Sequence, residues 1–271
     1  MNLAPPFMPL NASYLARIRP EDRFILAFPR SGSRWLRHAL TDIVNQWQGF
    51  DPTHYYSSLR TTTAAPTHSD EFKGLVSQKV IPNVHHVDDL PVSHLEALCG
   101  AGVYRSHHLT EVLRRSQGLM LYMLRHPAAT IASYYVFCQQ GSMLAPGVTM
   151  EEFAKWKLPL WVDHVETMLE YRRANPANCL FFLYQDQTAL TAPQVRTAAS
   201  ALGIPFTTEE VESALQRLRT HFEQLNSQPA SPVPRGGNVQ LLAQVPPALL
   251  EEIQTSTASL WAEVSRVAVE P

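Results

Sequence analysis

Four short apolar runs, each followed by a segment of helical spacing, confine this chain to a narrow set of folds. The runs are Phe24–Phe28, GVYRS at Gly102–Ser106, GLMLYMLRHP at Gly118–Pro127 with its strand stopping at Arg125, and NCLFFLYQD at Asn178–Asp186. Strands apolar on both faces belong in a sheet that is covered on both sides. Alternation with helices makes that sheet parallel. Helical spacing covers Trp35–Trp47, a short piece near Thr110–Arg115, Ala128–Gln139, Met150–Arg173, Ala192–Leu202, Thr208–Glu223 and Pro247–Val267. The expected fold is α/β: one three-layer α/β/α domain over residues 1–271, around a mostly parallel sheet of about five strands. Residues 1–20, rich in Pro and Asn, read as an extended arm. The Pro/Gly/Ser segment at Ser227–Asn238 reads as a loop that is mobile or folds over a ligand.

Composition excludes several functions. The net charge of -2 argues against a general nucleic-acid binder, so any anion site is a local cluster. Apolar runs stay far below the roughly 20 residues a membrane-spanning helix needs. The first 20 residues lack a basic stretch followed by a continuous apolar one, so no signal peptide is expected. Cys99, Cys138 and Cys179 are odd in number and far apart, which fits reduced, buried thiols and a cytoplasmic protein.

The stretch FILAFPRSGSRWLRHAL, Phe24–Leu40, carries the chemistry. A strand turning into a helix aims the helix's free N–H groups and its dipole at the turn. Gly32 allows close backbone approach there, Ser31 and Ser33 add hydroxyls, and Arg30 and Arg34 add charge that grips phosphate oxygens. Trp35 offers a face for a nucleobase. The plainer alternative is an ordinary helix cap with Trp35 in the core. The GxxxxGK[ST] pattern is absent. In YMLRHPAATIASYYVF, Tyr122–Phe137, Arg125 ends a strand and Ser133 lies on the next helix. Both arginines then face the crevice at the carboxyl ends of the strands. A surface ion pair for Arg125 and a buried helical Ser133 are the alternative.

Pro29-Arg30-Ser31-Gly32-Ser33-Arg34-Trp35-Leu36 resembles the 5′-phosphosulfate loop of sulfotransferases that use 3′-phosphoadenosine 5′-phosphosulfate (PAPS). Arg125-His126-Pro127 with Ser133–Phe137 resembles the same family's 3′-phosphate motif. The resemblance covers roughly residues 22–265 and implies a P-loop NTPase-like fold with PAPS as co-substrate, 3′-phosphoadenosine 5′-phosphate (PAP) as product, and no metal. It implies Tyr184 near the adenine, from FLYQD, and Arg235, Gly236 and Gly237 in a loop that closes on the 3′-phosphate, from PRGGN. Arg30 stands for the usual Lys, Arg34 for a hydroxyl residue, Ala129 for a frequent Asp and Gly236 for a frequent Lys.

Sulfuryl transfer needs alignment, removal of the acceptor's proton and stabilisation of charge on the leaving phosphate. Arg30 is the candidate for the last. VYRSHHL, Val103–Leu109, is similar to the family's Lys-Thr-His-Leu segment, which makes His107 the base, His108 its competitor and Arg105 a second cation. His85-His86 with Asp88-Asp89 lacks the spacing of a closed zinc site and reads as a solvated loop. Acceptor-site candidates are Tyr55, Tyr56, His86, His108 and Phe137. They suggest a small polar acceptor with a hydroxyl or amine, and Asp88 and Asp89 a cationic one such as an alkaloid-like metabolite. A homodimer stays open. The competing readings are a nucleotide-dependent kinase, with Asp186 as the candidate magnesium ligand, and a non-catalytic nucleotide-binding protein.

Overall fold

The computed structural model describes residues 18–53, 56, 101–110, 113, 114, 116, 118–184, 190–226 and 241–269. In chain order they form β1 (Arg23–Ala27), α1 (Ser33–Trp47), β2 (Val103–Ser106), β3 (Met120–Arg125), α2 (Pro127–Gln140), α3 (Met150–Ala174), β4 (Cys179–Tyr184), α4 (Ala192–Ala201), α5 (Thr208–Asn226), α6 (Pro247–Val267) and β5 (Ala268–Val269). The strands make one sheet in the order β2-β1-β3-β4-β5. Every pairing is parallel. The elements agree with the sequence expectation to within one or two residues at most ends. The fifth strand is the exception. It is two residues long, and so short a run at a helix end carries no apolar pattern.

Side-chain alternation along each strand builds two cores. Phe24, Leu26, Tyr122, Leu124, Phe181 and Leu183 face one way and pack with α2, α3 and α6. Ile25, Ala27, Leu121, Met123 and Phe182 face the other way and pack with α1, α4 and α5. The sheet is therefore the middle of three layers. Phe24, Tyr122, Phe181 and Trp161 are fully buried. Burial of side chains this size contributes about 1.5–3 kcal/mol each. Capping boxes fix three helix starts, Thr149 with Glu152 for α3, Thr191 with Gln194 for α4 and Thr207 with Glu210 for α5.

The chain leaves β1 for one neighbour, β2, and then returns to the other side to place β3. In a doubly wound sheet such a reversal opens a crevice at the strands' carboxyl ends. Here it opens between β1 and β3, above Ala27 and Arg125.

At the opposite end of the sheet, buried Asp22 ties the strand starts together. Its carboxylate accepts from the Gly102 amide at 2.6 Å and the Arg19 amide at 2.8 Å. Gly118 lies so close that a Cβ there would meet the Asp22 carbonyl oxygen at 1.5 Å. We expect Gly118→Ala to lower stability by ~3 kcal/mol, measured by urea unfolding, because the obstacle is backbone and cannot rotate away.

Candidate active site

The loop after β1 turns sharply into α1. Arg30 (φ 72°) and Gly32 (φ 92°) both take left-handed backbone. For Arg30 that conformation costs energy, and such strain concentrates at functional loops. Gly32 is the N-cap of α1 and no side chain caps the helix. In the first turn the Trp35 N–H bonds the Gly32 carbonyl at 2.9 Å, and no side-chain oxygen takes the N-cap role. A Cβ on Gly32 would stand 3.0 Å from the ring of Tyr184 and 3.3 Å from Met123. Ser31 is fully buried, and among the described residues its hydroxyl meets no hydrogen-bond partner. A buried, unmatched hydroxyl beside an uncapped helix start is the chemistry of an anion cradle.

Arg30 and Arg125 meet across the crevice. The Arg30 Nε donates to the Ser133 hydroxyl at 3.4 Å, and its guanidinium lies 4.6 Å from the centre of the Phe137 ring. Ser133 and Phe137 are one helical turn apart on α2, so they hold Arg30 from the same face. Arg125 donates to the Arg30 carbonyl at 3.4 Å and lies over the Tyr184 ring at 5.5 Å. Burial pulls Arg125 down to about 10. Burial first, then Arg34 and Arg125, pulls Arg30 down to about 10 as well. Arg105 lies well below its usual value through burial and then Arg37, Arg34 and Arg30. A guanidinium nevertheless keeps its proton in a protein. Cations gathered and desolvated in this way favour a polyanion among them.

Arg105 links the loop to the end of β2. Its Nε donates to the Ser33 hydroxyl at 2.9 Å, and its terminal nitrogen lies 2.7 Å from the Nε2 of His107. The Nδ1 of His107 lies 2.6 Å from the Ala27 carbonyl. A carbonyl only accepts, so Nδ1 carries the proton and Nε2 holds the lone pair. The structure thus brings His107 to Arg105 and the β1 terminus. His108 is half-buried beyond it, and burial lowers its pKa.

The family description "Sulfotransferase domain" matches residues 20–234. The chain belongs to the sulfotransferase family. Among its relatives, Cytosolic sulfotransferase 17 of Arabidopsis thaliana is 28% identical over 75% of this chain and 58% of its own length. Sulfotransferase 4A1 of Mus musculus is 26% identical over 81% of this chain and 72% of its own. The chain thus spans under two thirds of the first relative and more of the second. Among solved structures, the mouse sulfotransferase SULT7A1 complexed with PAP superposes with a TM-score of 0.61 at 16% identity, covering 96% of this chain and 91% of that one. A retinol dehydratase complexed with androsterone and PAP gives 0.52 at 14%, covering 97% and 84%. Those two likenesses are of fold.

Within this member of the family, Arg30, Ser31, Gly32, Ser33, Arg105, His107, Arg125, Ser133, Phe137 and Tyr184 gather at the β1–β3 crevice. Arg34 donates to the buried His38 at 3.4 Å. Trp35 stacks on Phe222 of α5 at 4.0 Å, which closes that ring face to a nucleobase. Tyr56 is buried on the α1–α5 side, 5.2 Å from the His221 ring. Tyr55, His86, Asp88, Asp89, Asp186, Arg235, Gly236 and Gly237 lie outside the described residues. Sequence reasoning missed His164 on α3, whose Nε2 donates to the His107 carbonyl at 3.0 Å. It stood inside a long amphipathic helix, and helical spacing marks such a residue only as inward-facing.

Buried histidines make stability pH-dependent. Burial, then Arg37 and Arg34, holds His38 well below its usual value, and burial holds His164 down to about 4. Both folded values lie below the unfolded one of about 6.5. The unfolded chain therefore takes up protons first, and stability present above about pH 6.5 is lost as pH falls toward 4. Urea unfolding at pH 7.5 and 5.0 should show a loss of ~2 kcal/mol or more. The loss should shrink in His164→Gln.

Proposed function

We propose that this sulfotransferase moves the sulfuryl group of PAPS to a hydroxyl or amine of a small-molecule acceptor. The observation that carries the donor assignment is the pairing of Arg30 with Ser133 and of Arg125 with the Arg30 carbonyl. It joins two cationic points, one per strand, at the place where the sheet reverses. A ligand with anionic groups at both ends of an adenosine matches two such points, and AMP or ATP leaves one of them unmet.

In this reading the loop from Arg30 to Arg34, with the first-turn amides of α1, holds the phosphosulfate end. Arg125 and Ser133 hold the 3′-phosphate, and Tyr184 flanks the adenine. Trp35 is a wall of the α1–α5 core. PAPS supplies an activated sulfuryl group whose leaving phosphate carries charge. Arg30 and Arg105 offset that charge. His107 takes the acceptor's proton at Nε2 once Arg105 turns from that lone pair toward the donor, with Ala27 fixing the tautomer. Arg105 sits against both Ser33 and His107, so one side chain spans the donor loop and the base. A PAP-bound neighbour supports the nucleotide, and relatives named as amine and flavonol sulfotransferases support a small acceptor. A cytoplasmic location accords with relatives named cytosolic.

Calorimetric titration with PAP beside AMP and ATP tests the donor. PAP should bind about 100-fold tighter than AMP, and Arg125→Ala should remove most of that preference while changing AMP affinity by less than about three-fold. Equal affinities, or ATP binding that needs magnesium, would favour a phosphotransferase instead.

A further inference from the structure

His164 fills a wedge between the ends of β1 and β2 and the middle of β3. Its ring lies edge-on to Phe28, just past β1, at 5.6 Å, and stacks on Tyr122 of β3 at 5.5 Å. Its Nε2 bonds the carbonyl of His107, the first residue past β2. The carbonyl only accepts, so Nε2 carries the proton. Nδ1 is then a lone pair, and it accepts from the Tyr122 hydroxyl at 2.7 Å. Burial raises Tyr122 far above its usual value, which keeps that hydroxyl protonated. One neutral imidazole thus satisfies a buried phenol and a peptide carbonyl that has left the strand ladder.

Packing alone does not call for a histidine here. A phenyl ring fills the same space between Phe28 and Tyr122. What the imidazole adds is a fixed donor to the peptide of His107, oriented from behind by Tyr122. We infer that His164, held by Tyr122, is a positioning residue that sets where the Nε2 of His107 stands relative to Arg105 and the acceptor. The inference rests on the reading of His107 as the base. In this role His164 acts through the backbone of His107. Displacement of a reacting group by about 1 Å costs on the order of 100-fold in rate.

The test uses full-length protein saturated with PAP and labelled with 13C at histidine Cε1, together with transfer from PAPS to 4-nitrophenol. In His164→Phe the His107 resonance should shift or broaden, and kcat should fall about 10- to 100-fold, with the KM for PAPS within about two-fold. His164→Gln keeps an N–H aimed at the same carbonyl and should restore both readouts most of the way. If 4-nitrophenol is not turned over, the resonance decides. Tyr122→Phe, which frees Nδ1, should move both readouts the same way by less, and it replaces His164→Phe should that variant not fold. A His107 resonance unmoved in His164→Phe overturns the inference, as does equal loss in the Phe and Gln variants. His107→Ala separates the two claims. Full rate there removes the base assignment and this inference with it. Lost rate there, with the His164→Phe loss adding in full on top, removes this inference alone.

Discussion

Parallel pairing of β1 with β3 puts Arg30 and Arg125 at one crevice, and the rest of the site is arranged around their charge. Phe24 pairs with Met120 and Ala27 with Met123, so the two strands run in step and end side by side. Two arginines that end so close together repel each other and lose water. The described surroundings answer with weak acceptors and ring faces: Ser133, the Arg30 carbonyl, Phe137 and Tyr184. Such contacts orient a guanidinium without cancelling its charge. Among the described residues the paired carboxylates serve elsewhere: Asp42 with Arg217 between α1 and α5, Glu21 and Asp22 with Arg19, and Glu263 with Arg173 at the surface.

The fold was largely legible because burial on both faces leaves a loud signal. Runs such as Met120–Leu124 have few other homes, and the helices between them keep their spacing over many residues. The cradle was legible because Ser31-Gly32-Ser33 between two arginines is costly for an ordinary turn. Less legible was which neighbour each side chain would choose. Trp35 offers a ring to a base in the sequence, and one face of that ring lies on Phe222. Phe137 reads as acceptor wall, and its ring also lies under Arg30. Arg34 looked like a phosphate ligand and also meets His38. Each outcome depends on side-chain direction after α5 or α2 packs, and local pattern does not encode that. His164 was invisible for the same reason, since its partners come from β2 and β3, far away in sequence.

The departures from the family's usual residues acquire a physical sense from the geometry. A lysine in place of Arg30 would present one point charge to Ser133, whereas the planar guanidinium also lies flat on Phe137. Arg105 uses its fork in the same way, with one nitrogen toward Ser33 and another toward His107. The arginine-rich character of the cleft is therefore also a packing solution, in which flat cations tile against rings and hydroxyls.

Tyr184 touches this arrangement twice, with its ring against Gly32 on one side and beneath Arg125 on the other. One rigid hexagon thereby separates the two places where anions would settle. If the crevice takes the donor proposed above, it would measure its guest as a caliper does, by the gap between the two jaws. Length between charges, more than their number, would then decide what is held.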